Sequence, residues 1–321
     1  MSKYKSRPLS PRGLKTHSLA SRNSIVNIKD FAKTFSPGET FAPFINSLPN
    51  ILAGRDFKEF ISLMIKAKKK ERAIIFALGA HVIKVGLNPV IIDLMKEGWV
   101  NALALNGAGI IHDFEIAFAG HTSEEVESQI KDGQFGMAKE TGEILNEAIN
   151  SGEKDKLGLG ESVGRTIANS RFPHRDLSIL GVAYDLNIPV TVHVAIGTDI
   201  IHFHPKVKGE VLGKISLRDF FLFCSLLEKI EGGGVFINLG SAVILPEVFL
   251  KAISFIRNKG RKIEGFSTAV FDFIHHYRPH QNVVKRPLKD KRKGFYFIGH
   301  HEIMIPLLAA SLKSESVLKR V

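Results

Sequence analysis

The chain has 321 residues, of which 44% are hydrophobic, and this is enough for a full apolar core in one large domain or two smaller ones. Its single cysteine, Cys224, excludes an intramolecular disulfide, and the first thirty residues lack the apolar core of a signal peptide, so we expect a cytoplasmic protein. The formal charge of +12 admits an anionic partner, but no apolar run is long enough to cross a bilayer, and no membrane association is expected.

Part of the positive charge is concentrated in two segments whose composition is typical of solvent-exposed chain. The first is a basic N-terminal tail, which we predict to be flexible over residues 1–25 and to precede a single α/β domain at residues 26–321. The second is the run from Lys285 to Lys293. Neither segment contains a nucleic-acid-binding motif, so nucleic acid is not an expected partner.

From Phe57 the chain alternates between helical and strand patterns. In chain order we predict a helix at 57–68, a strand at 73–78, a helix at 90–97, a strand at 100–105, mostly helix over 113–150 and a Gly-rich loop at 156–164. There follow a helix at 176–186, a strand at 188–196, a helix at 217–228, a strand at 234–239, a helix at 246–258, strands at 263–271 and 294–298, and a last helix from 303. This alternation indicates a doubly wound, mostly parallel, Rossmann-like sheet with helices on both faces.

Three of the predicted strands end in small residues followed by polar ones. They lead into Asn106-Gly107-Ala108-Gly109, into Gly197-Thr198-Asp199 and into Gly299-His300-His301-Glu302. A strand that ends in glycine and opens a helix presents backbone N–H groups to an anion such as phosphate. Because the carboxyl ends of parallel strands meet at one edge of the sheet, we expect the three exits to form one site.

This succession of motifs resembles the deoxyhypusine synthase family from about residue 57 to residue 310. The similar pieces are Asn106 to Asp113 (Thr-Ala-Gly-Gly and acidic residues in the family), Thr198 to His204 (Gly-Asp before Phe-Phe-His), Gly232 to Val235 (Gly-Gly-Gly-Val), Ser267-Thr268-Ala269 (Asn-Thr-Ala), Arg278-Pro279 (Arg-Pro) and Pro306-Leu307-Leu308 (Pro-Leu-Leu). The resemblance implies an NAD-binding fold, usually a homotetramer with active sites at dimer interfaces. It also implies oxidation of spermidine and transfer of its aminobutyl group through an imine on a lysine.

Carried over position by position, the resemblance predicts NAD contacts at six places, namely Asn106, Gly107, Gly109, Gly233, Gly234 and Thr268. The family's catalytic residues are not kept in register. Its histidine falls on Asn238, its nucleophile segment falls on Val284 to Pro287, and three acidic positions become His112, Gln281 and His300. We therefore expect a remodelled substrate pocket, with Lys285 or Lys289 as a possible replacement nucleophile.

The predicted function is NAD-dependent transfer or oxidation on an amine-bearing small molecule by a homo-oligomer. Asp199 and His112 are expected to orient the substrate, and His204 or His300 to transfer a proton. One alternative is a hydrolase that holds zinc or iron with the histidine cluster, although no short metal-ligand motif is present. Another is a binding or regulatory protein without catalysis. Asp113 and Glu115 open a helix and fit a stabilising or a catalytic role equally well.

Overall fold

The computed structural model describes residues 3–290 and 293–314, which contain one six-stranded sheet. The strands are β1 (Ile74–Leu78), β2 (Ala102–Asn106), β3 (Val190–His193), β4 (Val235–Leu239), β5 (Ser267–Asp272) and β6 (Gly294–Ile298). They lie in the order β3-β2-β1-β4-β5-β6, and every neighbouring pair is parallel. The doubly wound parallel sheet that the sequence predicts is therefore confirmed.

Helices cover both faces of the sheet. They are α1 (Phe41–Ser47), α2 (Leu52–Lys69), α3 (Ala80–Lys84), α4 (Asn88–Lys96), α5 (Gly107–Ala119), α6 (Val126–Gln129), α7 (Lys139–Lys154), α8 (Leu159–Ala168), α9 (Ile179–Asp185), α10 (Gly209–Glu228), α11 (Ile244–Asn258), α12 (Tyr277–Pro279), a π-helix (His280–Lys285) and α13 (His301–Lys313). Phe76 and Leu78 of β1 belong to the apolar core on the side of α2, α5 and α13. Ile75 and Ala77 belong to the core on the side of α10 and α11. With both faces covered, the strands read as continuous apolar runs rather than alternating ones.

The strand order reverses between β1 and β4, and the carboxyl ends of these two strands lie side by side. Gly79 follows β1 and Gly240 follows β4, and a Cβ at Gly79 would overlap the Gly240 carbonyl group. Gly240 has a φ of +69°, a conformation that glycine adopts without strain. In sheets of this order the reversal point is where dinucleotides and other ligands bind.

One predicted loop is wrong. The glycine content of residues 156–164 predicts an irregular segment, yet most of it belongs to α8. A Cβ at Gly160 would overlap the Val190 carbonyl group of β3, and one at Gly164 would lie 2.8 Å from the Leu180 oxygen of α9. Glycine is therefore present here because two neighbouring backbones approach the helix closely, and not because the chain is flexible.

Residues 3–40 contain only two short 3-10 turns, Leu19–Ser21 and Ile28–Asp30, and their side chains are almost all exposed. The division of the chain at residue 25 stays a prediction, and part of the basic run at 285–293 lies outside the described residues. None of the helices within 3–290 and 293–314 combines the length and the apolar character that a membrane crossing requires.

The carboxylate of Asp113 in α5 is surrounded by hydrogen-bond donors of the protein itself. Its carboxylate is fully buried and accepts hydrogen bonds from Ser178 Oγ at 2.5 Å, Ile179 N at 2.7 Å and Leu180 N at 3.0 Å, and also from Asn88 Nδ2. These backbone groups belong to the first turn of α9 and have no partner within that helix. Asp113 thus joins α5 to the start of α9, which favours the stabilising role.

We predict that Asp113→Ala lowers the free energy of unfolding by about 3 kcal/mol, because several buried donors lose their acceptor together. Urea denaturation followed by circular dichroism measures this change. The matched control is Asp176→Ala, whose carboxylate is almost fully exposed and which should change stability by less than about 0.5 kcal/mol. A loss below about 1 kcal/mol in Asp113→Ala would contradict the structural role.

Candidate functional site

A cavity of about 180 Å³ lies at the carboxyl ends of β2 and β3. It is lined by Lys84 of α3, by Ala108, Ile111, His112 and Glu115 of α5, by Ser123, Glu124, Val126 and Phe135 of the segment after α5, and by Thr198, Asp199 and Ile200 of the loop after β3. We call it the acidic cavity, since it contains the carboxylates of Glu115, Glu124 and Asp199. Two of the predicted catalytic residues, Asp199 and His112, lie on its wall.

Asp199 connects the loop after β3 to the start of α5. A Cβ at Gly107 would overlap Asp199 Oδ2, so only glycine leaves room for this carboxylate beside the first turn of α5. Asp199 as a whole residue is 8% exposed, and burial raises the pKa of its carboxyl group to about 6. The helix dipole of α5 favours the charged form of the carboxylate, whereas desolvation disfavours it.

His202 holds the loop that carries Asp199. Its Nδ1 accepts hydrogen bonds from Gly197 N at 3.1 Å and from Asp199 N at 3.3 Å. A ring nitrogen that accepts two N–H groups carries no proton, so the proton of the neutral ring is on Nε2. This nitrogen faces Asp199 Oδ2 at 3.7 Å, and burial lowers the pKa of His202. The loop therefore keeps the carboxylate and a neutral imidazole together.

His112, which also lines the cavity, is connected to Glu115 through Thr122. The Thr122 hydroxyl donates to Glu115 Oε2 at 2.5 Å and lies 2.7 Å from His112 Nδ1. Because the hydroxyl has only one proton, Nδ1 must be the donor in the second bond, which leaves a lone pair on His112 Nε2. Burial, and secondarily the charge of Lys84, lowers the pKa of His112 to about 4, so the ring is neutral at pH 7.

The charges of the acidic cavity favour a cation. Glu115 also accepts a hydrogen bond from Thr141 Oγ1 at 3.0 Å, and Glu124 accepts one from Gly136 N at 3.1 Å. All of these donors are neutral. Lys84 is the only cationic side chain on the wall among the described residues, against three carboxylates. A protonated amine would supply the missing positive charge and form charge-assisted hydrogen bonds.

A second polar group occupies the carboxyl ends of β1, β4, β5 and β6, and we call it the histidine rim. Its members are His81, Asn238, Ser241, Asp272, His276 and His301. Asp272 is 1% exposed, its Oδ2 has no hydrogen-bond partner among the described residues, and His276 Nε2 lies 3.8 Å away. His301 Nε2 lies 3.2 Å from the Phe271 oxygen, so this nitrogen carries the proton and the buried Nδ1 is an acceptor without a partner in the described part of the chain.

The acidic cavity and the histidine rim adjoin each other through α3. His81 of α3 lies with its ring centroid 5.6 Å from that of His301, on the rim. Lys84 follows three residues later and lines the cavity. Residues spaced by three lie on the same side of a helix, one turn apart. The carboxyl edge thus offers two neighbouring sites, one acidic and one next to the reversal point of the sheet.

The other two predicted catalytic residues do not join Asp199 and His112. His204 packs against α7, where a Cβ at Gly142 would overlap its ring, and its Nδ1 accepts a hydrogen bond from Lys206 N. His300 is exposed on the rim, where its ring lies parallel to that of Phe273 at 6.5 Å. The expectation of a single site formed by all three strand exits is therefore wrong, since β3 and β6 are at opposite sides of the sheet.

The predicted dinucleotide contacts at the start of α5 are also corrected. Asn106 Oδ1 accepts the hydrogen bond from Gly109 N at 3.2 Å, and Asp199 lies against Gly107. Gly109 packs onto the Leu105 side chain. The chain's own polar groups thus occupy the position where a phosphate was expected, and the carboxylate would repel one.

Gly233, Gly234 and Thr268 lie at the wrong edge of the sheet. The glycines precede β4 instead of following it, and Thr268 is the second residue of β5, with its hydroxyl bonded to the Val283 oxygen. The Gly-Gly-Gly-Val match is therefore out of register with the strand, and the correspondence with Asn238 that depended on it fails too. The residues that do follow β4 are Gly240 and Ser241.

Neither candidate lysine lies at the carboxyl edge. The π-helix runs from the end of β5 back along the sheet, and its last residues contact the amino ends of β5 and β6 through Thr268 and Gly294. Lys285 ends this helix, and Lys289 Nζ is 2.6 Å from Glu264 Oε1, beyond the amino end of β5. A replacement nucleophile at either position would lie at the amino edge of the sheet, away from the acidic cavity and the histidine rim.

The zinc or iron alternative has no ligand set in the described part of the chain, where no three or more His, Cys, Asp or Glu side chains are arranged to hold a metal ion. The sequence does not single out Lys84, Glu124, Ser241 or Asp272 as site residues. The signal for two of them was present, since Leu239-Gly240-Ser241 and Phe271-Asp272 are strand exits like the others. Their importance depends on the strand order, which the sequence alone does not reveal.

We predict that Gly107→Ala lowers the free energy of unfolding by about 2 kcal/mol, because the added methyl group must displace the buried Asp199 carboxylate. The matched control is Gly213→Ala in α10, where the new Cβ meets open space and should stabilise the helix by about 0.5 kcal/mol. Thermal and urea unfolding measure both. Equal stability of the two variants would show that Asp199 does not lie against α5.

No model of a known protein family matches the chain, and no curated protein matches it either. Solved structures do. A provisionally assigned deoxyhypusine synthase from Entamoeba histolytica is 14% identical, with a TM-score of 0.50 over 87% of this chain and 95% of that one. A provisionally assigned LOR/SDH protein from Methanococcus maripaludis S2 is 15% identical, with a TM-score of 0.50 over 88% of this chain and 72% of that one.

Unliganded AgrE is 14% identical, with a TM-score of 0.53 over 82% of this chain. The chain spans about a third of the length of AgrE, since the match covers 33% of that protein. Identities this low show a shared fold and leave the activity open. The resemblance to deoxyhypusine synthase that the sequence predicts is thus confirmed as a resemblance of fold.

Proposed function

We propose that the chain is an enzyme that binds an amine-bearing small molecule in the acidic cavity and a nicotinamide dinucleotide on the histidine rim, and that it oxidises the amine or transfers part of it. One observation carries this proposal. Three carboxylates, Glu115, Glu124 and Asp199, share a cavity of about 180 Å³ with a single lysine, at the edge of the sheet where such folds bind ligands.

The carboxylates have distinct roles in this proposal. Glu115 and Glu124 are held by neutral hydrogen-bond donors and remain available to an ammonium group. Asp199, with a pKa of about 6, is charged at neutral pH and is the group best suited to accept a proton from the amine. His112 presents the lone pair of Nε2, which accepts a hydrogen bond from the substrate and orients it.

The dinucleotide part of the proposal is supported by the strand order and by unsatisfied acceptors beside the reversal point. Asn238 Oδ1 and Asp272 Oδ2 are both buried without a hydrogen-bond partner among the described residues. Ribose hydroxyls and a carboxamide are donors that fit such acceptors, and an acidic residue at a strand end holds the ribose in many Rossmann folds. A bound nicotinamide would supply the hydride acceptor.

AgrE, one of the proteins that share this fold, forms a ternary complex with ornithine and NAD+. Ornithine is itself an amine-bearing small molecule, and the fold match with AgrE covers about a third of that protein. Assembly into a homo-oligomer and a cytoplasmic location stay predictions from the sequence.

We predict that 1,4-diaminobutane binds the protein at pH 8 and binds about tenfold more weakly at pH 5, because Asp199 is protonated below its pKa of about 6 while the amine stays charged. His112, with a pKa of about 4, is neutral at both pH values and adds no repulsion. Isothermal titration calorimetry measures the affinities. Glu115→Gln should cost about tenfold at pH 8, and Asp199→Asn should remove most of the pH dependence.

The matched control for this series is Asp132→Asn, which removes an exposed carboxylate from the segment after α5 without touching the cavity wall. It should leave the affinity for the diamine unchanged. If wild-type affinity is the same at pH 5 and pH 8, or if Asp132→Asn weakens binding as much as Glu115→Gln does, the acidic cavity is not the amine site.

We also predict that NAD+ binds the wild-type protein and that Asp272→Asn weakens its binding about tenfold, since the amide keeps the shape of the side chain but loses the charge. The same variant should bind 1,4-diaminobutane normally. Asp185→Asn, an exposed acid at the other edge of the sheet, is the control. Absence of NAD+ binding to the wild type would remove the dinucleotide from the proposal and leave the amine site standing.

A further inference from the structure

A second and larger cavity lies at the opposite, amino-terminal edge of the sheet. Its volume is about 590 Å³, and it lies between the end of α2, the amino ends of β1 and β2 and the end of α10. It is lined by Lys68, Glu71, Arg72, Ala73, Ile75, Gly98, Asn101, Ala102, Leu226 and Lys229. Its size is within the range of small-molecule binding sites. The proposed function assigns no role to this cavity.

The charges of this cavity are the reverse of those of the acidic cavity. Lys68, Arg72 and Lys229 line it, against the single carboxylate of Glu71. Neither Arg72 nor Lys229 forms an ion pair with any residue that the structure describes. Lys68 is held in place, because its Nζ donates to the Glu97 oxygen at 2.7 Å and lies 4.0 Å from the centroid of the Trp99 ring. The cavity is therefore a concave site in which Arg72 and Lys229 have no ion-pair partner among the described residues, while Lys68 is held by its own contacts.

The floor of the cavity is apolar. Ala73, which directly precedes β1, Ile75 of β1, Ala102 of β2 and Leu226 of α10 form it, and all four are buried. Asn101 lies at its border, with Oδ1 accepting the hydrogen bond from Ile74 N at 2.7 Å, so its amide N–H groups are the free end of the side chain. The lining thus combines cations, amide donors and an apolar surface. A phosphate group attached to an apolar or planar moiety matches that combination.

Compensation of helix dipoles does not account for all of these cations. Lys68 lies in the last turn of α2 and Lys229 follows the last residue of α10, where a positive charge stabilises the helix end. Arg72 lies beyond the end of α2, in the short connection into β1. Its guanidinium forms two parallel hydrogen bonds with a phosphate more readily than an ammonium does. Arg72 is accordingly the residue whose position is best explained by an anionic ligand.

We propose that this cavity binds a phosphorylated small molecule of about nucleotide size, with the phosphate on Arg72 and Lys229 and the apolar part on the floor formed by β1, β2 and α10. Lys68 adds to the positive potential without leaving its contacts with Glu97 and Trp99. The site lies on the opposite edge of the sheet from the acidic cavity and the histidine rim, and it does not depend on the function proposed for them.

Isothermal titration calorimetry of the full chain with AMP, and separately with inorganic phosphate, tests the proposal. AMP should bind the wild type at low ionic strength and more weakly as salt increases. Arg72→Ala and Lys229→Ala should each weaken AMP binding about tenfold, and the double variant should weaken it more than either single variant. Phosphate should bind more weakly than AMP and lose affinity in the same variants, because it lacks the part that contacts the floor.

Two control variants distinguish this cavity from the rest of the basic edge and from the histidine rim. Lys259→Ala removes an exposed cation from the end of α11, at the same edge but outside the cavity lining, and should leave AMP binding unchanged. Asp272→Asn, on the histidine rim, should also leave it unchanged, which separates AMP binding here from dinucleotide binding there. Loss of AMP binding in Asp272→Asn instead would place the nucleotide on the rim and overturn the proposal.

Three further results would overturn the proposal as well. If AMP and phosphate do not bind the wild type, or if the double variant only lowers thermal stability, the cations serve the helix ends alone. If a single-stranded oligonucleotide binds more tightly than AMP and Lys259→Ala weakens it as much as Arg72→Ala does, the basic edge is an open surface for polyanions. In that case no discrete small-molecule site exists.

Discussion

The candidate site depends on the contact between the Asp199 carboxylate and the first turn of α5. This contact joins the loop after β3 to the end of β2, and it closes the wall of the acidic cavity. It also decides what the start of α5 can bind, because the chain supplies its own negative charge at the position where related architectures often hold a phosphate. The Gly-rich strand exit thereby makes room for a carboxylate of the protein itself, and the cavity beside it favours cations.

The direction of the strands separates two electrostatic environments. Helices begin at the carboxyl edge of a parallel doubly wound sheet and end at its amino edge, so carboxylates are stabilised at the first edge and cations at the second. At both edges the chain carries more charge than the stabilisation of helix ends requires. Glu115 and Glu124 are not in the first turn of a long helix, and Arg72 lies outside the helices. This excess charge is the basis on which we propose ligands of opposite sign at the two edges.

Alternating patterns of helix and strand predicted the fold well, and all six strands were located from their apolar runs, with β6 at its observed bounds.

The errors in the prediction involve glycine, because the sequence does not reveal why a glycine is required at a given position. In α8 glycine permits close packing, before β4 it forms a turn at the amino edge and away from the predicted dinucleotide site, and at Gly107 it leaves room for Asp199. Asp199 and His112 line the same cavity, and each follows one of two neighbouring strands. Placing His300 beside them failed because that grouping requires the order of the strands, which depends on contacts between distant segments.

The most direct measurement is a crystal structure of the protein grown at pH 8 with saturating 1,4-diaminobutane. Our account predicts an ammonium nitrogen inside the acidic cavity, within hydrogen-bond distance of the carboxylates of Glu115 and Asp199, with the Asp199 loop in contact with Gly107. A structure in which the diamine lies elsewhere, or in which Asp199 points away from α5 and the cavity is filled by protein side chains, would contradict it.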